Sequence, residues 1–135
     1  MKTTIIIPNY NGLSFMEPCF EALEKQTTKD FKILVVDNGS TDGSVEWLKE
    51  REIPSIFLPE NTGFSGAVNV GIKAADTPYV ILLNNDTKVA PHYVEALERA
   101  MDRSEKIFSG SQDCQNGFGY NTYTKCLRTS YRRLL

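Results

Sequence analysis

The chain is predicted to be an α/β protein with a mainly parallel, Rossmann-like sheet covered by helices on both faces, and two observations predict it. Short apolar, β-branched runs alternate with segments whose apolar residues recur at helical spacing. Two of those runs lead straight into polar strings, Val35-Val36-Asp37-Asn38-Gly39-Ser40-Thr41-Asp42-Gly43-Ser44 and Leu82-Leu83-Asn84-Asn85-Asp86-Thr87. Polar side chains at the carboxyl ends of parallel strands face the crevice where such sheets take their ligands.

The elements follow in order. Thr4 to Pro8, bounded by Asn9-Tyr10-Asn11-Gly12, predicts a buried strand ending in a turn. Ser14 and Glu17 stand at capping-box spacing, and Met16, Cys19, Phe20 and Leu23 then trace one face of a helix that tolerates Pro18 near its first turn. Phe31 to Val36 reads as a second strand, Asp42-Gly43 opens a helix carrying Val45 and Leu48, and Ser55 to Leu58 is a short third strand. Ala67, Val70 and Ala74 mark another helix and Tyr79 to Leu83 a fourth strand. Pro91 begins a helix with Tyr93, Ala96, Leu97 and Ala100 on one face. Parallel neighbours imply right-handed crossovers.

From Ser109 to Leu135 neither period holds. Gly110, Gly117 and Gly119 stand among Ser, Gln, Asn and Thr, followed by Lys125, Arg128, Arg132 and Arg133. The expected organisation is an α/β domain over 1–108 and an atypical tail over 109–135. A partly ordered tail, a strand pair of unusual composition and the product of an interrupted reading frame all fit that tail.

Composition narrows the functional classes. A chain of 135 residues, 41% hydrophobic, has room for one domain and one sizeable core. A net charge of −2 with mixed signs gives no field for a polyanion, so nucleic acid is not an expected partner. The apolar start, Thr3 to Pro8, is too short for a signal segment or a membrane span, which predicts a cytoplasmic protein. Cys19, Cys114 and Cys126, at unrelated spacings, are expected to be reduced thiols.

Each polar string has competing readings. Asp37 at a strand end could accept the imide N–H of uracil or thymine, while Asp37 or Asp42 could equally cap the next helix. Calcium fails, because the EF-hand spacing that starts at Asn38 puts Lys49 where the bidentate Glu belongs. A phosphate loop fails, because Ile72 occupies the lysine position of Gly66 to Lys73. The sequons Asn38-Gly39-Ser40 and Asn85-Asp86-Thr87 have no secretion signal to make them accessible. Asn84-Asn85-Asp86 offers one carboxylate and two amides, enough for a hard divalent cation if diphosphate oxygens and water complete its shell; a solvated turn is the alternative. His92 reads as a solvated surface residue with no carboxylate partner suggested by spacing.

Taken together, Ile7-Pro8-Asn9-Tyr10-Asn11, Val36 to Ser44, Glu60-Asn61-Thr62-Gly63-Phe64, Asn69-Val70-Gly71 and Leu83-Asn84-Asn85-Asp86 resemble family 2 glycosyltransferases, from about Lys2 to Ser109 and with nothing recognisable beyond. The resemblance implies the nucleotide-sugar-binding half of a GT-A fold, making 1–108 the donor-binding domain. It implies transfer of a sugar with inversion from a nucleotide-diphosphate sugar to a glycan or lipid-linked acceptor of the cell envelope. It implies that Pro8, Tyr10 and Asn11 line the nucleotide pocket and that Asp37 binds the base. Gly63 and the segment to Asn69 would lie near diphosphate or ribose, Asn84 and Asn85 would touch substrate, and Asp86 would hold a divalent metal, Mn or Mg.

Two departures qualify the resemblance. The family's Asp-x-Asp reads Asn84-x-Asp86, as in members resembling rhamnosyltransferases, which points to a UDP or dTDP sugar. No general base is matched, since Asp113 is the one acid of the tail and fits no family motif. The expectation is therefore a truncated transferase, completed by another chain or a second copy, at the membrane's inner face or free in the cytoplasm. A catalytically silent nucleotide-sugar-binding fragment is the alternative. A receiver-like phosphoacceptor module fits less well, because Asn9 and Asn11 stand where paired acids belong.

Overall fold

The computed structural model describes residues 1–103 in full, together with the backbone of 109–111 and 124–128. Strands β1 (Thr3–Asn9), β2 (Phe31–Asp37), β3 (Ser55–Phe57) and β4 (Tyr79–Leu82) alternate with helices α1 (Leu13–Glu24), α2 (Ser44–Glu50), α3 (Phe64–Ala74) and α4 (Tyr93–Arg103). Strands β5 (Ser109–Ser111) and β6 (Thr124–Arg128) complete a sheet of order β3-β2-β1-β4-β6-β5. The first four strands are parallel, and β6 runs antiparallel to both β4 and β5.

Strand pleating divides the core between the two faces. Ile5, Ile7, Val35, Ile81 and Leu83 point to the side covered by Met16, Cys19 and Leu23 of α1, Leu48 of α2 and Tyr93, Val94, Leu97 and Met101 of α4. Ile6, Val36, Val80 and Leu82 point to the other side, against Ala67, Val68 and Ile72 of α3. Central strands buried on both faces read as unbroken apolar runs, which is why they were legible in the sequence.

Several local expectations are corrected. The 109–135 region, where no strand period holds but a strand pair of unusual composition is one of three open readings, contributes the paired strands β5 and β6, and β6 covers the edge of β4. Alternation fails there because the strand residues are Ser, Gly and Thr mixed with Lys and Arg. On α3 the buried stripe is Ala67, Val68, Gly71 and Ile72, with Ala74 exposed; on α4 it is Tyr93, Val94, Leu97, Glu98 and Met101, with Ala96 and Ala100 exposed. Alanine misplaced both faces, since a single methyl costs little in water and marks neither side. The Ser14–Glu17 capping box does not form, because α1 begins at Leu13 after an N-cap at Gly12 without a side-chain bond. Asp42 caps it from the next loop, accepting Leu13 N–H at 2.9 Å, and accepts Ser44 N–H at 3.0 Å to open α2 as well.

Candidate functional site: a cleft at the carboxyl edge of the sheet

The connection from β1 runs to β2 on one side, while β4 lies on the other, so the switch point of this sheet falls between β1 and β4. The register sets Asn9 beside Asp37 and Ile6 beside Leu82, which brings 84–86 level with the end of β1. There an open cleft of about 410 Å³ is lined by Pro8, Asn9, Tyr10, Asn38, Asn61, Gly63, Phe64, Ala67 and Asn84 to Asp86. Its size lies within the range of small-ligand sites.

The floor of this cleft is a closed hydrogen-bond network. Asn9, 1% exposed, donates from Nδ2 to Asp37 Oδ1 at 2.8 Å and to Ser40 Oγ at 3.2 Å, and its Oδ1 accepts Asn85 Nδ2 at 2.8 Å. Asp37 Oδ2 accepts Ser40 N–H at 3.0 Å. Asn38 is also fully engaged, donating to Asn61 Oδ1 and the Gly63 carbonyl and accepting from the N–H and hydroxyl of Thr62. These bonds tie the ends of β1, β2 and β4 to the loop before α3. Two glycines allow the close approaches: a Cβ on Gly12 would stand 2.1 Å from Asn85 Nδ2, and Gly39, at φ +80°, has the Glu60 backbone where a Cβ would be.

The rim is different. Asn84 and Asp86 side chains have no hydrogen-bond partner among the described residues, and Asp86 is exposed. Tyr10 and Phe64 present rings that are 52% and 61% exposed. Gly63, the N-cap of α3, takes a backbone conformation reserved for glycine (φ +81°, ψ 164°), and N–H groups of the first turn of α3 have no side-chain cap among the described residues.

Of the expected site residues, Pro8, Tyr10, Gly63, Asn84, Asn85 and Asp86 come together on the cleft. Asp37 does not line it: the carboxylate is 1% exposed and lies beneath, because Asn9 and the Ser40 N–H hold it against the strand ends. Asn11 also stands back from the lining; its N–H donates to Ser40 Oγ and its side-chain oxygen accepts Thr41 N–H, folding the two loops together. Asn69 is exposed on α3 outside the lining. Phe64 and Ala67 of the expected Gly63–Asn69 segment also line the cleft, whereas sequence reasoning gave no site role to Asn9, Asn38 or Asn61. The signal for Asn38 and Asn9 was the strand-end position itself, one residue on from the base-reading candidate and one before Tyr10.

His92, expected without a carboxylate partner, lies 3.5 Å from Glu95 through Nδ1, remains exposed and is not part of the cleft lining. Cys19 is free and buried; burial first, and the charge of Asp86 second, push its thiol up to about 12. Cys114 lies outside the described residues.

A divalent cation has a limited donor set here. Among the described residues there is no group of three or more His, Cys, Asp or Glu side chains that would hold one. Asp86, an exposed and unpartnered carboxylate beside the unpartnered Asn84 amide, fits a hard cation whose remaining ligands come from phosphate oxygens and water. Among the described residues no helix is long and apolar enough to cross a membrane.

A parallel α/β sheet flanked by helices, with a cleft at its carboxyl edge, is the architecture of GT-A domains. The pattern described as "Glycosyl transferase family 2" matches residues 4–133, so the chain belongs to that family, and the match continues well past Ser109, where the sequence resemblance was expected to stop. A teichoic acid poly(glycerol phosphate) polymerase of Staphylococcus epidermidis is 33% identical over 99 residues, 69% of this chain and 14% of that protein. Among solved structures, S. aureus TarS 1-349 in complex with UDP-GlcNAc superposes with a TM-score of 0.79 at 20% identity, covering 98% of this chain and 47% of that one. The mannosyltransferase PcManGT of Pyrobaculum calidifontis, in complex with GDP-Man and Mn2+, has a TM-score of 0.73 at 18% identity, with coverage of 98% and 46%. This chain therefore spans a small part of the curated relative and under half of each solved chain.

Proposed function

We propose that the cleft binds a nucleotide-diphosphate sugar, with UDP or dTDP as the nucleotide, and that residues 1–108 form the donor-binding unit of an inverting transferase acting on a glycan or lipid-linked acceptor of the cell envelope. The observation that carries this reading is the contrast between floor and rim. Asn9, Asp37 and Asn38 spend their polar groups on one another and on the loops, while Asn84, Asp86 and the first turn of α3 keep theirs for a ligand, and Tyr10 and Phe64 keep their rings exposed beside them. Exposed rings suit a base, uncapped helix N–H groups suit phosphate, and a lone carboxylate suits a cation shared with phosphate.

In the reaction an acceptor hydroxyl oxygen would bond the anomeric carbon from the face opposite the nucleoside diphosphate as the anomeric carbon–oxygen bond to the diphosphate breaks. The hydroxyl proton would pass to a base other than Asp86. Asp86, with the Asn84 amide oxygen, would hold Mn2+ or Mg2+, which when bound neutralises charge developing on the leaving diphosphate. Asn84 is an amide, so it orients without adding negative charge. Gly63 lets the backbone approach the ligand closely, and the Asp37–Asn9 network fixes the strand ends beneath it. The names of the structural relatives, one bound to UDP-GlcNAc and one to GDP-Man with Mn2+, support the ligand class.

Titrating UDP, dTDP and UMP into the full chain with manganese tests this reading. The diphosphates are expected to bind at least ~10-fold tighter than the monophosphate, one bridging contact being worth about 1.5 kcal/mol or more. Equal affinities would overturn the diphosphate assignment. A second reading, binding without transfer, is favoured by one observation: among the described residues the cleft lining carries a single carboxylate, Asp86, which a bound cation would take. Sugar release onto an added acceptor by the pure chain would exclude it.

A further inference from the structure

The structure assigns to Asn9 a role that neither the motif reading nor the family match gives it: we infer that this buried amide is a positioning residue that fixes the cation-binding turn against the sheet. The inference rests on reading Asp86 as the cation carboxylate. Asn85, the residue beside Asp86, turns its Nδ2 down to Asn9 Oδ1 at 2.8 Å, and the turn closes with Thr87 N–H on the Asn84 carbonyl at 3.2 Å. Asn9 cannot turn its amide over. Its Nδ2 faces Asp37 Oδ1 at 2.8 Å, and a carboxylate oxygen only accepts, so Asn9 Oδ1 is compelled to face Asn85. The charge of Asp37 thereby sets the polarity of the next two amides, through a path that is 1% exposed at both Asp37 and Asn9.

Gly12 provides independent support. A Cβ there would stand 2.1 Å from Asn85 Nδ2 and 2.7 Å from Asn9 Oδ1, so the sequence keeps this spot clear for the amide pair. The consequence is a coupling between strand ends. Asp37, on β2, governs where Asp86, after β4, holds its carboxylate, although neither residue touches the other in the hydrogen-bond chain.

The test is a polarity swap. Asn9→Asp sets two carboxylates against each other, and Asn85→Asp sets a carboxylate against Asn9 Oδ1, with side-chain volumes unchanged. In the pair Asn9→Asp with Asp37→Asn, the charge moves one residue along and every donor again meets an acceptor. UDP binding to the full chain is measured with manganese and with chelator, and the ratio of the two affinities is the readout. Both single variants are expected to lose ~10-fold or more of the manganese-dependent gain, the scale for removing a group that orients a metal ligand, beyond whatever the added charge costs metal-free UDP binding. The double variant should recover it. Equal losses with and without manganese, or no recovery in the double variant, would overturn the inference.

Amide exchange separates this inference from the reading of Asp86. If wild type shows no manganese gain, Asp86 is not the cation carboxylate, and the positioning role stands or falls on exchange at Thr87 N–H alone. That amide should exchange ~10-fold faster in Asn9→Asp and return to the wild-type rate in the double variant, a change in local opening of about 1.4 kcal/mol. An unchanged rate would refute the role. Gly12→Ala gives the same expectation without altering any charge, should the acidic variants fail to fold.

Discussion

At the scale of single residues, the acids of the first polar string divide their work. Asp37 is a buried acceptor for Asn9 and Ser40, so Asp37→Ala strips the buried Asn9 amide of its carboxylate partner and leaves the Ser40 N–H without one. The expected cost is about 1–3 kcal/mol of unfolding free energy, read by urea titration. Asp42 caps two helices at once. Partial desolvation pushes its carboxyl up, but the hydrogen bonds from the Ser44 hydroxyl and from the Leu13 and Ser44 N–H groups prevail and hold it below the ordinary 3.8. A carboxyl lowered in the fold contributes stability that is complete above pH 3.8 and fades as pH falls through the lower folded value. Asp42→Ala should cost about 1 kcal/mol at pH 7, with the gap to wild type closing in that acid window; a gap independent of pH would contradict the capping role. The sequence left open whether Asp37 or Asp42 served as a cap, since both spacings allow it. Only the loop geometry, with Asp42 reaching back to Leu13, decides it.

At the scale of elements, the parallel strands were legible because burial on both faces leaves unbroken apolar runs. Helix faces were less so wherever alanine marked the stripe. Gly71 shows what the stripe concealed: a Cβ there would meet Ile6 Cγ2 at 2.5 Å and Val36 Cγ2 at 3.1 Å, so α3 seats on the sheet at this glycine. Gly71→Val should therefore destabilise by about 1–3 kcal/mol through overpacking, seen as a lower urea midpoint with an unchanged slope. An unaffected midpoint would mean that α3 is not seated there. The cleft residues were partly legible for a similar reason. Motif spacing found the rim at Tyr10, Gly63 and Asp86, but Asn9 and Asn38 became visible only once the register put neighbouring strand ends side by side.

At the scale of the molecule, the cleft lies at the switch point of the sheet, and the charge of Asp86 on its rim reaches the buried thiol of Cys19. Cys19, buried on α1 with its thiol pushed up to about 12, stays protonated across the physiological range. Its alkylation by iodoacetamide at pH 8, followed by peptide mass mapping, should be negligible in the folded chain and rapid in urea; rapid native labelling would show that the α1 face opens. The central claim is that Asp86 and a divalent cation together hold the diphosphate of a nucleotide sugar in this cleft. Calorimetric titration of UDP into wild type and Asp86→Asn, each with manganese and with excess chelator, tests it most directly. The account predicts that manganese tightens binding to wild type by ~10-fold or more and leaves Asp86→Asn unchanged, a single charge-assisted contact being worth about 1.5–3 kcal/mol. Equal affinity of wild type with manganese and with chelator, or an undiminished manganese effect in Asp86→Asn, would contradict it.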